Sequence, residues 1–112
     1  MVAIRTTRDA AFYVALFAAL CEPIRIEIVS MIDATDELAC TELDATLPIA
    51  KSTISYHVKI LHNAGLIDVR KSGRYYFYRL HREVFGRHVP GFLEALRTPK
   101  GRQESSSTTV AH

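Results

Sequence analysis

A chain of 112 residues, 48% hydrophobic and 23% charged, holds enough apolar material for one modest globular core and little more. No apolar run approaches the ~20 residues of a membrane span. The apolar stretch from Ala10 to Cys21 also lacks the basic flank and small-residue cleavage site of a signal peptide, so a cytoplasmic protein with no membrane partner is expected. The net charge of +2 is unevenly spread. Residues 1–48 carry three arginines against eight carboxylates, whereas residues 49–82 carry seven lysines and arginines against Asp68 alone. A basic block of that kind is an electrostatic footprint for a polyanion.

In chain order, residues 1–7 read as loose, and a helix is expected from Arg8 to about Leu20. Phe12, Leu16 and Leu20 form one stripe of it, while Tyr13, Val14 and Phe17 make its other faces apolar too. A helix apolar on several sides calls for burial on several sides, and in so small a chain the second wall is expected to be another copy. Pro23 suits the first position of the next helix, in which Ile24, Ile28 and Met31 or Ile32 carry the buried face. After the polar loop Asp33-Ala34-Thr35-Asp36-Glu37, a short helix from Thr41 to Thr46 points Leu43 and Leu47 inward and stops at Pro48.

The helix that follows, about residues 51–64, is the one the rest is organised around. Ile54, Val58 and Leu61 recur at i, i+4 and i+7, so they make one apolar stripe facing the body of the domain. The opposite face carries Ser52, Ser55, Tyr56 and Lys59: hydroxyls, a phenol that can stack, and an ammonium, all suited to phosphates and base edges. Short helix, tight turn and second helix make a helix-turn-helix, whose second helix enters the major groove of double-stranded DNA.

Gly65 ends that helix, and two strand-like runs follow, Leu66 to Lys71 and Arg74 to Leu80, separated by Ser72-Gly73. Tyr76, Tyr78 and Leu80 fall on one face of the second run, with Tyr75, Phe77 and Arg79 on the other. A hairpin in this place, about residues 66–80, is a wing. Its small basic tip, Lys71-Ser72-Gly73-Arg74, suits a phosphate backbone or the minor groove. From Glu83 to Arg97, Phe85, Phe92 and Leu96 form a stripe with Val89 and Leu93 beside it, on a helix bent at Pro90 or restarted with Pro90 as its first residue. Residues 1–97 thus read as one domain. Residues 98–112 read as a disordered tail, with Lys100 and Arg102 available for weak phosphate contact. The expected fold is mainly α with a two-stranded β-hairpin wing, in the order α-α-α-α-β-β-α, and homodimeric.

Leu20-Cys21-Glu22-Pro23-Ile24-Arg25, Ser52-Thr53-Ile54-Ser55-Tyr56-His57-Val58-Lys59-Ile60-Leu61, Ala64-Gly65-Leu66, and Gly73-Arg74 leading to Tyr78-Arg79-Leu80 together resemble the ArsR/SmtB family of winged-helix transcriptional repressors. The resemblance covers roughly residues 10–82. It implies a homodimer built by the first and last helices, through Phe12, Leu16, Phe17, Leu20, Phe85, Phe92 and Leu96. It also implies a pseudo-palindromic operator matched to two reading helices, and repression altered by a small signal. The candidate DNA contacts are Lys51, Ser52, Thr53, Ser55, Tyr56, His57 and Lys59 on the reading helix, and Arg70, Lys71 and Arg74 on the wing.

The chain departs from the family where the signal is usually read. Arsenic and cadmium sensors place two cysteines, one residue apart, in the first helix of the helix-turn-helix. Here those positions hold Ala39 and Thr41, with Cys40 between them, and one thiolate is not a soft-metal site. Zinc and nickel sensors use Asp, His and Glu ligands on the last helices. Here His81 and His88 stand seven apart around Glu83, which is too sparse a set, so no metal and no cofactor is expected. Cys21 and Cys40 are the candidates for a redox role. They flank a helix of about ten residues, ~15 Å long, which puts an intrachain disulfide out of reach and leaves a cross-dimer bridge from Cys21 open.

An enzyme is disfavoured, since the chain has no Gly-rich phosphate loop, no nucleophile paired with a histidine at a supporting spacing, and no metal triad. The expectation is a DNA-binding regulator with a small-molecule or redox effector. The alternative is a winged-helix module for protein or RNA contact.

Overall fold

The computed structural model describes residues 8–97, with elements α1 (Arg8–Ala19), α2 (Pro23–Asp33), β1 (Leu38–Ala39), α3 (Cys40–Thr46), α4 (Lys51–Asn63), β2 (Ile67–Ser72), β3 (Tyr75–Leu80), α5 (Arg82–His88) and α6 (Phe92–Leu96). The loose start expected at 1–7 and the tail expected at 98–112 lie outside the described residues. Among the described residues, no helix is long and apolar enough to cross a membrane.

Each helix buries the stripe that its apolar spacing marks out. Leu16 and Ala19 of α1, Ile28, Val29 and Ile32 of α2, Leu43 of α3, and Ile54, Val58 and Leu61 of α4 meet in one core. Leu66, Ile67, Tyr78, Leu80, Phe85 and Leu93 close it from the sheet and the C-terminal helices. Pro23 stands at the start of α2, where its missing N–H costs nothing. At the other end of α4, Gly65 adopts a left-handed backbone with φ +80°. The Leu66 N–H then donates to the Leu61 carbonyl at 3.1 Å and the Gly65 N–H to the His62 carbonyl at 3.0 Å. This paired closure stops the reading helix and turns the chain straight into the wing.

Three features differ from the sequence expectation. The hairpin turn is Gly73-Arg74, one residue later than expected, because Ser72 pairs with Tyr75 in the ladder. Gly73, at φ +63°, takes the first central position, where a right-twisted hairpin wants a positive φ. The sheet has three strands in the order β1-β3-β2, since Leu38 and Ala39 pair antiparallel with Tyr78 and Phe77. The C-terminal stripe is carried by two short helices. Pro90 lies in the break between them, and Gly91, with φ +88°, is the cap of α6.

The same core corrects part of the expected dimer surface. Leu16 is 0% and Phe85 1% exposed within one protomer, so neither has area left to offer a partner; Leu20 is nearly as buried. The outward apolar side chains of α1 are Tyr13, Val14 and Phe17, with Phe12 half-buried against the His88 ring at 4.6 Å. Phe92 and Leu96 are likewise only partly covered.

The carboxylate of Asp33, at the end of α2, holds the C-terminal helices in place. Arg82 donates from Nη1 at 2.7 Å, and Arg97 donates from Nε and Nη2 at 2.8 Å each. The Asp33 side chain is 5% exposed. The Arg97 hydrogen bond, opposed by burial and reinforced by Arg82, brings its pKa down to about 2.

Candidate nucleic-acid interface

α4 follows α3 after a turn through Leu47-Pro48-Ile49-Ala50, and its buried stripe fixes which face it shows to solvent. Lys51, Ser52, Thr53, Ser55, Tyr56 and Lys59 are all exposed, and Tyr56 is 59% so. No side chain caps the start of the helix, and the Thr53 and Ile54 N–H groups both donate to the Ala50 carbonyl at 3.0 Å.

His57 departs from the expectation of a direct contact. It is half-buried, and its Nδ1 lies 3.0 Å from Nη1 of Arg25 on α2. An arginine has no acceptor, so Nδ1 must hold the lone pair and the imidazole must be neutral, with its proton on Nε2. Burial first, and then the Arg25 charge, lower the His57 pKa from its ordinary value, against an opposing pull from Glu22. Arg25 is itself 7% exposed. Its Nε donates to the Ala19 carbonyl at 2.8 Å and its Nη2 to the Ala18 carbonyl at 3.1 Å. The sequence carried a signal for this residue: Arg25 lies on the buried face of α2, at helical spacing from Ile28, Val29 and Ile32.

On the wing, Arg70 faces an internal partner. Its Nε and Nη2 donate to the two Glu37 oxygens at 2.9 and 2.8 Å, and its guanidinium lies 4.6 Å from the Phe77 ring centroid. The Arg70 bond holds the Glu37 carboxyl below its usual range. Lys71 lies 5.7 Å over the Tyr76 ring, and Arg74 is exposed at the tip. Tyr75 and Tyr76, both exposed, put two phenols on the wing that the sequence reading had not assigned to a site.

The two cysteines are free thiols. Cys21 is exposed and donates to the Ala18 carbonyl at 3.1 Å; Cys40, half-buried, accepts the Tyr76 N–H at 3.4 Å. Near Cys40, burial above all pushes the Tyr78 phenol up to about 12. Among the described residues, no three His, Cys, Asp or Glu side chains group as metal ligands.

A family described as a helix-turn-helix domain matches residues 20–70. The chain is 38% identical over 82 residues to an uncharacterized HTH-type transcriptional regulator, YceK, of Bacillus subtilis, spanning 72% of this chain and 82% of that one. It is 33% identical over 69 residues to the arsenic resistance transcriptional regulator ArsR1 of Pseudomonas putida, covering 62% of this chain and 54% of that one. Among solved structures, HlyU from Vibrio cholerae superposes with a TM-score of 0.65 at 30% identity, covering 80% of this chain and 91% of that chain.

A helix-turn-helix with a three-stranded wing and an exposed polar reading face defines a winged-helix DNA-binding transcriptional regulator. Within that class, the chain belongs to the ArsR/SmtB family.

Proposed function

We propose that the chain is a cytoplasmic repressor that binds a pseudo-palindromic operator as a homodimer, with no catalytic activity of its own. The observation that carries this reading is the division of α4. Ile54, Val58 and Leu61 anchor it, while Ser52, Ser55, Tyr56 and Lys59 stand outward together on a helix of 13 residues, long enough to cross a major groove. Lys51 and Thr53 at its start suit phosphate contact, and Lys71 and Arg74 extend that contact along the backbone on either side of the wing tip. The outward Tyr13, Val14 and Phe17 of α1, continued by Phe12 and the C-terminal helices, give a second copy an apolar face to cover. Two reading helices related by that dyad require two half-sites at a fixed spacing.

The arsenic in a relative's name does not carry over, because Ala39 and Thr41 stand where a dithiolate would be needed. The effector is a small molecule that binds two dimer geometries unequally, or an oxidant that covalently modifies a thiol such as Cys21 and so favours one of them.

The test is fluorescence anisotropy on a duplex selected from a random library, against a scrambled duplex, across a salt series. Sequence-selective binding that falls steeply with salt is expected, and equal, weak binding to both duplexes would refute the operator reading. Lys59→Ala should weaken both duplexes alike and flatten the salt slope by about one, whereas Tyr56→Ala should cost selectivity.

A further inference from the structure

We propose that Arg25 and His57 are positioning residues for DNA recognition, forming a relay that sets the reading helix from the end of α1. The proposal deepens the operator reading above and rests on it. Its first link is the pair of carbonyls, Ala18 and Ala19, that close α1 and receive two N–H groups of Arg25. Next comes the Arg25 Nη1–His57 Nδ1 bond at 3.0 Å. Last, the His57 ring meets the Tyr56 ring edge-on, with centroids 5.3 Å apart at 65°. Tyr56 is the large exposed side chain of the reading face, so the relay runs from the helix that carries the outward apolar face to the group that reads DNA.

Each link is directional. Helix-terminal carbonyls lack intrahelical donors, and a planar guanidinium fixes the angle between its three partners in a way that a flexible ammonium cannot. A shift of the last turn of α1, such as a change in dimer geometry brings, therefore has a path to Tyr56 through rigid planar groups, beside the direct packing of α1 on α4. Protonation breaks the middle link, because imidazolium has no acceptor and would face the Arg25 charge. The charged groups acting on His57 are Arg25 and Glu22 of the α2 end, with Tyr56 its neighbour on α4. As the pH falls below the histidine's ordinary value and through its lowered one, the reading helix loses this brace. A plain charge contact predicts the opposite, since added positive charge near DNA strengthens binding.

The experiment is the ratio of affinities for the selected and scrambled duplexes, measured from about pH 8 to about pH 5.5. Wild type should lose selectivity toward acid, the ratio falling while scrambled-duplex binding is held or strengthened. His57→Asn keeps an acceptor at the place of Nδ1 and cannot be protonated, so it should retain selectivity at every pH. His57→Phe should show the acid-like ratio throughout. If His57→Asn follows the wild-type pH profile, or His57→Phe keeps full selectivity, the relay is wrong. Nitrogen NMR of the free protein reads the first premise directly: a neutral ring protonated at Nε2 near neutral pH is expected, and a proton at Nδ1 would overturn the proposal. A selection that enriches no sequence would remove the operator reading, and with it the function that the relay serves.

Discussion

Two arginine-based junctions hold the two ends of α2, and they differ in what the arginine is given. Near the N-terminus, Arg25 is buried and meets only neutral acceptors, two carbonyls and an imidazole. At the C-terminus, Asp33 supplies a buried carboxylate to Arg82 and Arg97, both of which remain about half exposed. The first junction joins α1 to the reading helix; the second joins the C-terminal helices to the core. An imidazole acceptor leaves the first junction sensitive to acid below the histidine's ordinary range, whereas a carboxylate with two guanidinium partners holds until strong acid. The same side chain thus serves as an adjustable joint at the end beside α4 and as a fixed clamp at the other.

The contrast can be broken most sharply at Arg25. Arg25→Met should cost about 2 kcal/mol in urea unfolding, because it leaves the buried Ala19 carbonyl and the half-buried His57 ring nitrogen without their donor, while the Ala18 carbonyl keeps the Cys21 thiol. A loss no larger than that of a surface substitution would mean that water replaces the guanidinium, and that the joint is not built as described. Asp33→Asn comes next, at about 2 kcal/mol, since charge-assisted bonds to two arginines are reduced to weaker ones.

The sign of the pH effect follows from the direction of the shift. Asp33's pKa lies below that of the unfolded chain, so its stabilisation is complete above the ordinary value of 3.8 and is lost as the pH falls toward about 2. Stability of Asp33→Asn should lose that acid-dependent component, a difference readable from paired urea titrations at pH 5 and near pH 2.5. The smallest effect is expected at the Arg70–Glu37 pair, where both groups face solvent. Glu37→Gln should leave the melting temperature unchanged but steepen the salt dependence of DNA binding by about one, as a guanidinium is released toward phosphate. An unchanged slope would mean that Arg70 points away from the duplex.

Local periodicity made the reading helix legible. Ile54, Val58 and Leu61 announced the buried stripe, and Gly65 the stop, because both are properties of a few neighbouring residues. What depended on residues far apart was not legible. Glu37 and Arg70 are 33 positions apart, so nothing local marks the wing arginine as already paired. Leu16 and Phe85 were apolar residues on helices expected at an interface, and only the packed core distinguishes an inward face from an outward one. β1 is two residues long, too short to carry an alternation, and the turn at Gly73-Arg74 differs from Ser72-Gly73 by a shift that pattern alone cannot resolve.

That short strand has a consequence for how the protein stays apart from its own copies. By pairing with Phe77 and Tyr78, β1 covers part of the outer edge of β3, the strand richest in aromatic residues and so the most adhesive. The edge left along β2 bears Asp68, Arg70 and Lys71, charges that discourage another wing from zippering onto it. Among the described residues, the sheet thereby offers little bare, uncharged edge for another copy to extend.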